Sequence, residues 1–308
     1  MPPVVRAKHT GTLSMRHFAF SAVAAAAATL ASPAIAQDSP PLETSQTAPA
    51  TEPGLDSGVF AGDWISIGVG AGYSPSYDGS DDYVTSILPI VQGSLGGVDI
   101  NPRPGGLALD FIPDRSGEIG IDAGVAARLR RNRASDIKDP VVASLGELKT
   151  AIEVGPTAGV SIPGVLHGYD SLSFSTDVRW DVAGAHKGMV IDPSVTYFTP
   201  LSRGAIASFS LSAEYVDGDY ADYYYSIDAA DSLASGLSQF DAGSGFTKVG
   251  ANLLVGYDLD GDALNGGLAL IGIGGYSRMV GDAKDTPFTS DRGSADQWFV
   301  AGGIGYTF

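Results

Sequence analysis

Gln297 to Phe308 reads QWFVAGGIGYTF, and its parity decides the fold. Trp298, Val300, Gly302, Ile304, Tyr306 and Phe308 fall on one face of an extended chain; Gln297, Phe299, Ala301, Gly303, Gly305 and Thr307 fall on the other. Successive side chains of a strand point to opposite faces, so bulky apolar and aromatic groups line one side here and mainly small groups the other. From Trp298 to Phe308 there are ten rises of ~3.3 Å, about 33 Å along the strand and roughly 25 Å along a membrane normal at ~40° tilt. That is the height of the apolar band of a transmembrane β-barrel, with aromatic girdles at its two edges. The competing reading is the last strand of a soluble sandwich or lipocalin-like barrel, but a soluble sheet rarely leaves Tyr and Phe at a frayed end.

The same alternation recurs upstream. Ile65, Ile67, Val69, Ala71 and Tyr73 oppose Ser66, Gly68, Gly70 and Gly72; Ile119 to Leu129 on odd numbers oppose Gly120, Asp122, Gly124, Ala126 and Arg128. Leu172, Phe174, Thr176, Val178, Trp180 and Val182 oppose Ser173, Ser175, Asp177, Arg179 and Asp181. Phe209, Leu211, Ala213 and Tyr215 oppose Ser208, Ser210, Ser212 and Glu214, and Val249 to Tyr257 repeat the pattern with Leu254 breaking the polar set. Segments this long exceed the soluble average of about 5–6 residues and suit tilted membrane strands. The second face carries small groups, hydroxyls and charges of both signs, which suits a polar lumen crossed by ion pairs. Its charged members, Asp122, Arg128, Asp177, Arg179, Asp181 and Glu214, are the candidate lumen residues.

The expected fold is therefore all-β: one transmembrane antiparallel β-barrel from 64 to 308. Twelve strands are expected, near 64–73, 84–94, 97–101, 105–112, 117–130, 149–162, 169–183, 188–199, 204–216, 246–259, 265–278 and 295–308. The third and fourth are short; as one bent strand or a lumen-facing loop they would leave ten. With twelve, 74–83, 131–148, 217–245 and 279–294 form loops on one side, and 113–116, 200–203 and 260–264 form short turns on the other, the asymmetry such barrels show.

Composition agrees. The chain has 308 residues, 41 of them Gly, no Cys, and a net charge of −17. So much Gly disfavours a helical bundle, at about 1 kcal/mol per helix-interior site, and the absence of Cys excludes a disulfide framework or Cys-ligated metal. From Met15, MRHFAFSAVAAAAATLASPAIAQ has a basic start, an apolar run from Phe18 to Ala31 and an Ala34-Ile35-Ala36 site. That predicts a signal peptide over 1–36, with Met15 an alternative start. Residues 37–63, polar with Pro40, Pro41, Pro49 and Pro53, read as a flexible periplasmic lead-in. Removing 1–36 takes away three basic residues and no acidic one, leaving −20. A chain so acidic will not hold nucleic acid through its phosphates.

The closing strand resembles the carboxy-terminal signal of bacterial outer-membrane barrels, which implies that the barrel-assembly machinery reads Phe308, Tyr306 and Ile304. A wider resemblance rests on GVGAGYSPSYDGSDDY (Gly68 to Tyr83) followed by Leu88-Pro89, on Glu153-Val154-Gly155-Pro156, and on Tyr224-Tyr225-Ser226-Ile227 with Ser235-Gly236-Leu237 and Phe240 to Gly245. Over about 62–308 the chain resembles the MipA/OmpV family, the MltA-interacting proteins. The resemblance implies the outer membrane of a Gram-negative bacterium, with outer-membrane lipid and lipopolysaccharide around the barrel. It also implies a scaffold role joining a lytic transglycosylase to a murein synthase; other members are linked to osmotic or antibiotic responses. No enzyme activity and no cofactor are expected. A small-solute diffusion channel is the alternative, motivated by Gly-rich strands and charged lumen positions.

Three further groups carry candidate chemistry. Asp78, Asp81 and Asp82, with Asp282, Asp285 and Asp291, supply carboxylates of the kind hard cations take, but fit no known calcium loop and read better as solvated turn residues. His167 and His186 lie in turn-like stretches with no nucleophile at a triad spacing. Tyr220, Tyr223, Tyr224 and Tyr225 interleave with Asp217, Asp219 and Asp222, which suits a girdle or loop packing more than a sugar surface.

Overall fold

The computed structural model describes residues 58–113 and 117–308. The expected leader at 1–36 and most of the lead-in, 37–57, lie outside the described residues. The strands are β1 (Trp64–Pro75), β2 (Tyr83–Leu95), β3 (Val98–Arg103), β4 (Gly106–Asp110), β5 (Gly120–Arg130), β6 (Ala151–Pro163), β7 (Ser171–Asp181), β8 (Met189–Ser202), β9 (Ala205–Val216), β10 (Gly245–Asp258), β11 (Gly267–Met279) and β12 (Asp296–Thr307). Each pairs antiparallel with its sequence neighbours, and β1 pairs with β12 to close the barrel. The twelve-strand reading holds. The turn expected at 200–203 is tighter, because β8 runs on to Ser202.

Parity places the apolar set outward. Ile67, Val69 and Tyr73 of β1, Leu253 and Val255 of β10, and Val300, Ile304 and Tyr306 of β12 are all exposed. Burying such a surface against lipid removes the cost of holding it in water. Trp298 and Tyr276 meet at 4.8 Å between ring centres near one edge, and Tyr306 and Phe308 at 4.7 Å near the other.

At the closing seam the inward residues are nearly all small. Gly68 faces Gly305 and Gly70 faces Gly303. The backbones come so close that a Cβ on Gly68 would lie 2.6 Å from the Ile304 carbonyl oxygen. Ser66 and Thr307 join their hydroxyls across the seam at 2.5 Å, and the Phe308 N–H donates to the Ile65 carbonyl at 2.9 Å.

One stretch of wall is incomplete. β2 pairs with β3 only from Gly93 to Leu95, against Val98 to Ile100. β3 and β4 have six and five residues and turn at Pro104-Gly105, where Gly105 takes φ +65°. β4 in turn pairs with β5 from Gly124 to Arg128. The hairpin therefore ends partway up, while β2 continues ten residues beyond its last pair with β3.

The hydrophobic core lies under the long loops, not at mid-barrel. The loops carry five short helices: α1 (Pro140–Ala143), α2 (Gly218–Tyr225), α3 (Ala229–Ser235), α4 (Gly281–Asp285) and α5 (Pro287–Ser290). Tyr77, Val142, Tyr220, Tyr224, Tyr225, Met279 and Phe288 pack there, essentially without exposure. Helical spacing puts Tyr220, Ala221, Tyr224 and Tyr225 on one face of α2, which turns down onto the barrel mouth.

Candidate functional site

The lumen is two-sided. The wall formed by β5 to β9 holds most of the inward charges; on β10 to β2 the inward residues are mixed, with Leu254, Ile271, Ile273, Leu88 and Ile90 among glycines and polar groups such as Lys248, Asn252 and Gln297. Arg130 sits at the centre of the polar wall with no exposure. Its Nε donates to Glu153 Oε1 at 2.5 Å and its Nη2 to Glu214 Oε2 at 2.7 Å. Arg179 donates to Glu153 Oε2 at 3.3 Å, to Asp177 Oδ2 at 3.0 Å, and to Asp192. Arg103 reaches in from the tip of the short hairpin to Asp177 at 3.0 Å, and Arg128 lies 3.4 Å from Asp192 and 3.6 Å from Glu214. Thr157 and Thr247 donate to Asp177 and Glu214 at 2.6 and 2.8 Å. Four guanidinium groups thus meet four carboxylates, from β3, β5, β6, β7, β8 and β9. Buried charges are tolerable when each is paired and hydrogen-bonded.

A tyrosine lid caps this network. The Arg130 guanidinium lies 4.9 Å from the Tyr220 ring centre. His186, 3.4 Å from Glu153, packs against Tyr220 and Tyr224 at 4.9 and 5.6 Å between ring centres. The girdle alternative for these tyrosines is corrected: they pack inward, because α2 folds over the barrel mouth. Tyr223 sits at the lid's edge, where its hydroxyl accepts from the Lys149 N–H at 2.8 Å.

Each candidate residue has a definite place. Arg128, Asp177, Arg179 and Glu214 belong to the network. Asp122 shares their face on β5. Asp181 ends β7 and accepts the N–H groups of Ala183 and Lys187 at 2.9 and 3.0 Å, so it holds a turn. Asp81 and Asp82 are exposed, but Asp78 is not a solvated turn residue: it is buried, with Lys248 Nζ 3.0 Å from Oδ1 and its own N–H donating to Asn132 Oδ1 at 3.0 Å. The loop folds inward, and a lysine occupies the position a cation would take. Among the described residues no group of three His, Asp or Glu could hold a metal ion. His167 contacts Thr199 Oγ1 at 2.9 Å in the β6–β7 turn.

Arg103, Arg130, Glu153 and Asp192 are the network members that sequence reading missed. Arg130 could have been found, since it continues the parity of Arg128 by one step. Asp192 could not, because its neighbours Ile191 and Pro193 gave β8 no clear alternation.

Burial pushes the Tyr77 hydroxyl up to about 12, and burial likewise raises Tyr220, Tyr224 and Tyr225 well above the usual tyrosine range. A phenol that resists ionisation when folded stabilises the lid fully below its ordinary pKa of ~10, and that contribution is lost as pH rises through the raised value. The lid should therefore stay shut up to pH ~10 and open above it, with tyrosinate absorbance and protease sensitivity of residues 217–244 rising together. Full tyrosinate absorbance from a loop still protected would contradict the burial.

The family model for the MltA-interacting protein MipA matches residues 67–308. The chain belongs to this family. Membership places it in the outer membrane of a Gram-negative bacterium. No curated relative matches the chain. Among solved structures it is similar to the COG4313 outer membrane channel of Pseudomonas putida F1, at 12% identity over 80% of this chain and 96% of that one, with a TM-score of 0.43. It is also similar to OmpT of Vibrio cholerae, at 7% identity over 80% and 97% of the two chains and a TM-score of 0.35. OprD of Pseudomonas aeruginosa follows at 13% identity over 80% and 94%, with a TM-score of 0.27. Similarities this loose decide neither strand number nor function.

Proposed function

We propose that this barrel is a non-enzymatic outer-membrane anchor for murein-remodelling enzymes, holding a lytic transglycosylase, and with it a murein synthase, at the periplasmic face. The observation that carries the reading is the plug of paired charges across the lumen of a MipA family barrel. Arg130, Glu153 and Glu214 cross it with at most 1% exposure, and the tyrosine lid covers them. A barrel plugged by its own side chains is a support rather than a conduit, and the family's description names a protein partner.

The periplasmic edge supplies a docking feature. In the β6–β7 turn Leu166 and Tyr169 are 76% and 61% exposed. The buried Asp170 carboxylate fixes that turn, accepting from the Leu166 and His167 N–H groups at 2.9 and 3.1 Å and from the Tyr197 hydroxyl at 2.7 Å. A photo-crosslinker at position 166 or 169, activated in the native envelope, should capture a lytic transglycosylase. Capture of lipid alone from both positions would overturn the anchor reading. The channel alternative makes the opposite forecast in planar bilayers: steady conductance from the purified barrel, where the anchor reading expects none.

The closing strand carries a separate proposal, that assembly machinery reads the aromatic at position 308. Phe308→Ala should lower outer-membrane yield several-fold, and Phe308→Trp should restore it. The side chain's own burial contributes about 2 kcal/mol at most, so Phe308→Ala refolded in detergent should remain a barrel. Equal yields for the two variants would remove the aromatic from the signal.

A further inference from the structure

We infer that the wall has a lateral window between β2 and the β3–β4 hairpin, through which an anionic amphiphile enters the lumen from the membrane. The window follows from the register. From Tyr83 to Gln92, β2 has a ladder with β1 on one side and none with β3, β4 or β5 on the other. Among the described residues, no loop backbone hydrogen-bonds to that edge. Below, the window is bounded by the hairpin tip at Arg103-Pro104. Above, the 131–148 loop crosses to the first loop, where Asn132 Oδ1 accepts the Asp78 N–H at 3.0 Å.

A strand edge with open N–H and C=O groups cannot face bare hydrocarbon; at membrane depth it must line a cavity holding water or polar groups. The window is therefore a route into the lumen, and its occupant needs a polar part. Behind the hairpin tip lies a cavity lined by Arg103, Arg128 and Arg179, by the carboxylates Asp177 and Asp192 that pair with them, and by Ser175 and Ser194. Arg128 is 4% exposed, and its Nε and Nη2 atoms find no hydrogen-bond partner. Two buried guanidinium N–H groups without acceptors beside a cavity are a site for a carboxylate or phosphate oxygen. The facing wall suits the other half of the molecule. Leu88 and Ile90 of β2, Ile271 of β11 and Phe299 of β12 point inward and are only half-buried. They form an apolar strip left partly exposed inside the barrel, beside the lipid-facing surface at Ile87 and Val91. Head on Arg128, chain along this strip: the two halves of the lumen match the two halves of an anionic amphiphile.

The test uses the intact barrel in phosphatidylcholine bilayers containing palmitate with a photoactivatable group at the chain end, with labelled residues mapped by mass spectrometry. Lipid-facing Ile87, Val91 and Val300 report ordinary contact with the membrane. The proposal requires additional label on inward Ile90, Ile271 or Phe299. It also requires that this inward label fall several-fold when palmitate is replaced by the uncharged alcohol of the same chain, while outward label is unchanged. Arg128→Met, checked for heat-modifiable migration, should reproduce that fall with palmitate; if it does not fold, the alcohol comparison stands on wild-type protein. Label confined to the outward set overturns the window. Inward label of equal strength with acid and alcohol overturns the anionic head.

Discussion

Arg130→Met should destabilise the barrel by about 3–5 kcal/mol, the usual cost of breaking a buried ion pair from one side. The methionine fills most of the space but leaves Glu153 and Glu214 without their main partner, at 0% and 1% exposure. Arg179 and Arg128 remain near, at 3.3 Å from Glu153 and 3.6 Å from Glu214, and keep the effect at the lower end of that range. The measurement is the urea midpoint of the detergent-folded barrel, followed by heat-modifiable migration. Arg292→Met is the comparison: Arg292 bonds Asp139 at 2.7 Å on the loops but is 40% exposed, and such pairs contribute about 0–1 kcal/mol. Equal midpoints for the two variants would mean that the lumen network is hydrated and its burial irrelevant to stability.

Tyr220→Ala should release the lid and leave the barrel standing. The ring touches Arg130, His186, Tyr224 and Tyr225, with centre separations of 4.9, 4.9, 4.6 and 6.2 Å. Replacing a buried aromatic by alanine costs about 3–5 kcal/mol, and here the loss falls on a loop segment whose local stability is below that of the ladder. Protease should then cut within 217–244 under conditions where the strands resist, and amide exchange should rise in α2 and α4 before any strand. A variant as protected as wild type would show that the lid is held by its backbone and caps alone. Those caps are real: Asp217 accepts the Tyr220 N–H at 3.1 Å, and Asp228 and Asp231 form a capping box on α3.

The barrel was legible because membrane strands repeat one rule, and Trp298, Ile304 and Tyr306 state it as clearly as Ile67 and Val69 do. The short third and fourth strands also showed, since Val98 to Asp110 holds too few residues for two full crossings. The lumen network was only half legible. Arg128, Asp177, Arg179 and Glu214 declare their face by parity, but which charges meet depends on strand register and on closure. The lid was less legible still. Tyr220 to Tyr225 alternate with aspartates in a way that suits water and protein equally, and only the fold of the loop buries them. Asp78 misled for the same reason: its partner Lys248 lies 170 positions away in sequence, on β10.

The glycine-lined seam between β1 and β12 has a consequence for how the ring finds its match. A strand that slips by two residues keeps its inward and outward faces. Along this seam such a slip sets small groups against small groups, because Gly68, Gly70 and Gly72 face Gly305, Gly303 and Ala301, and even Phe299, the next inward residue of β12, would meet only Gly72. Steric fit inside the ring therefore cannot choose between alignments. Only the Ser66–Thr307 hydroxyl pair and the aromatic residues on the outer surface tell one from the next. A slip of two residues moves β12 by about 7 Å along its own axis, enough to lift Trp298 and Tyr306 off the two water–lipid boundaries together. At this joint the ruler is the bilayer, and the chain closes on itself at the offset that the thickness of its own solvent selects.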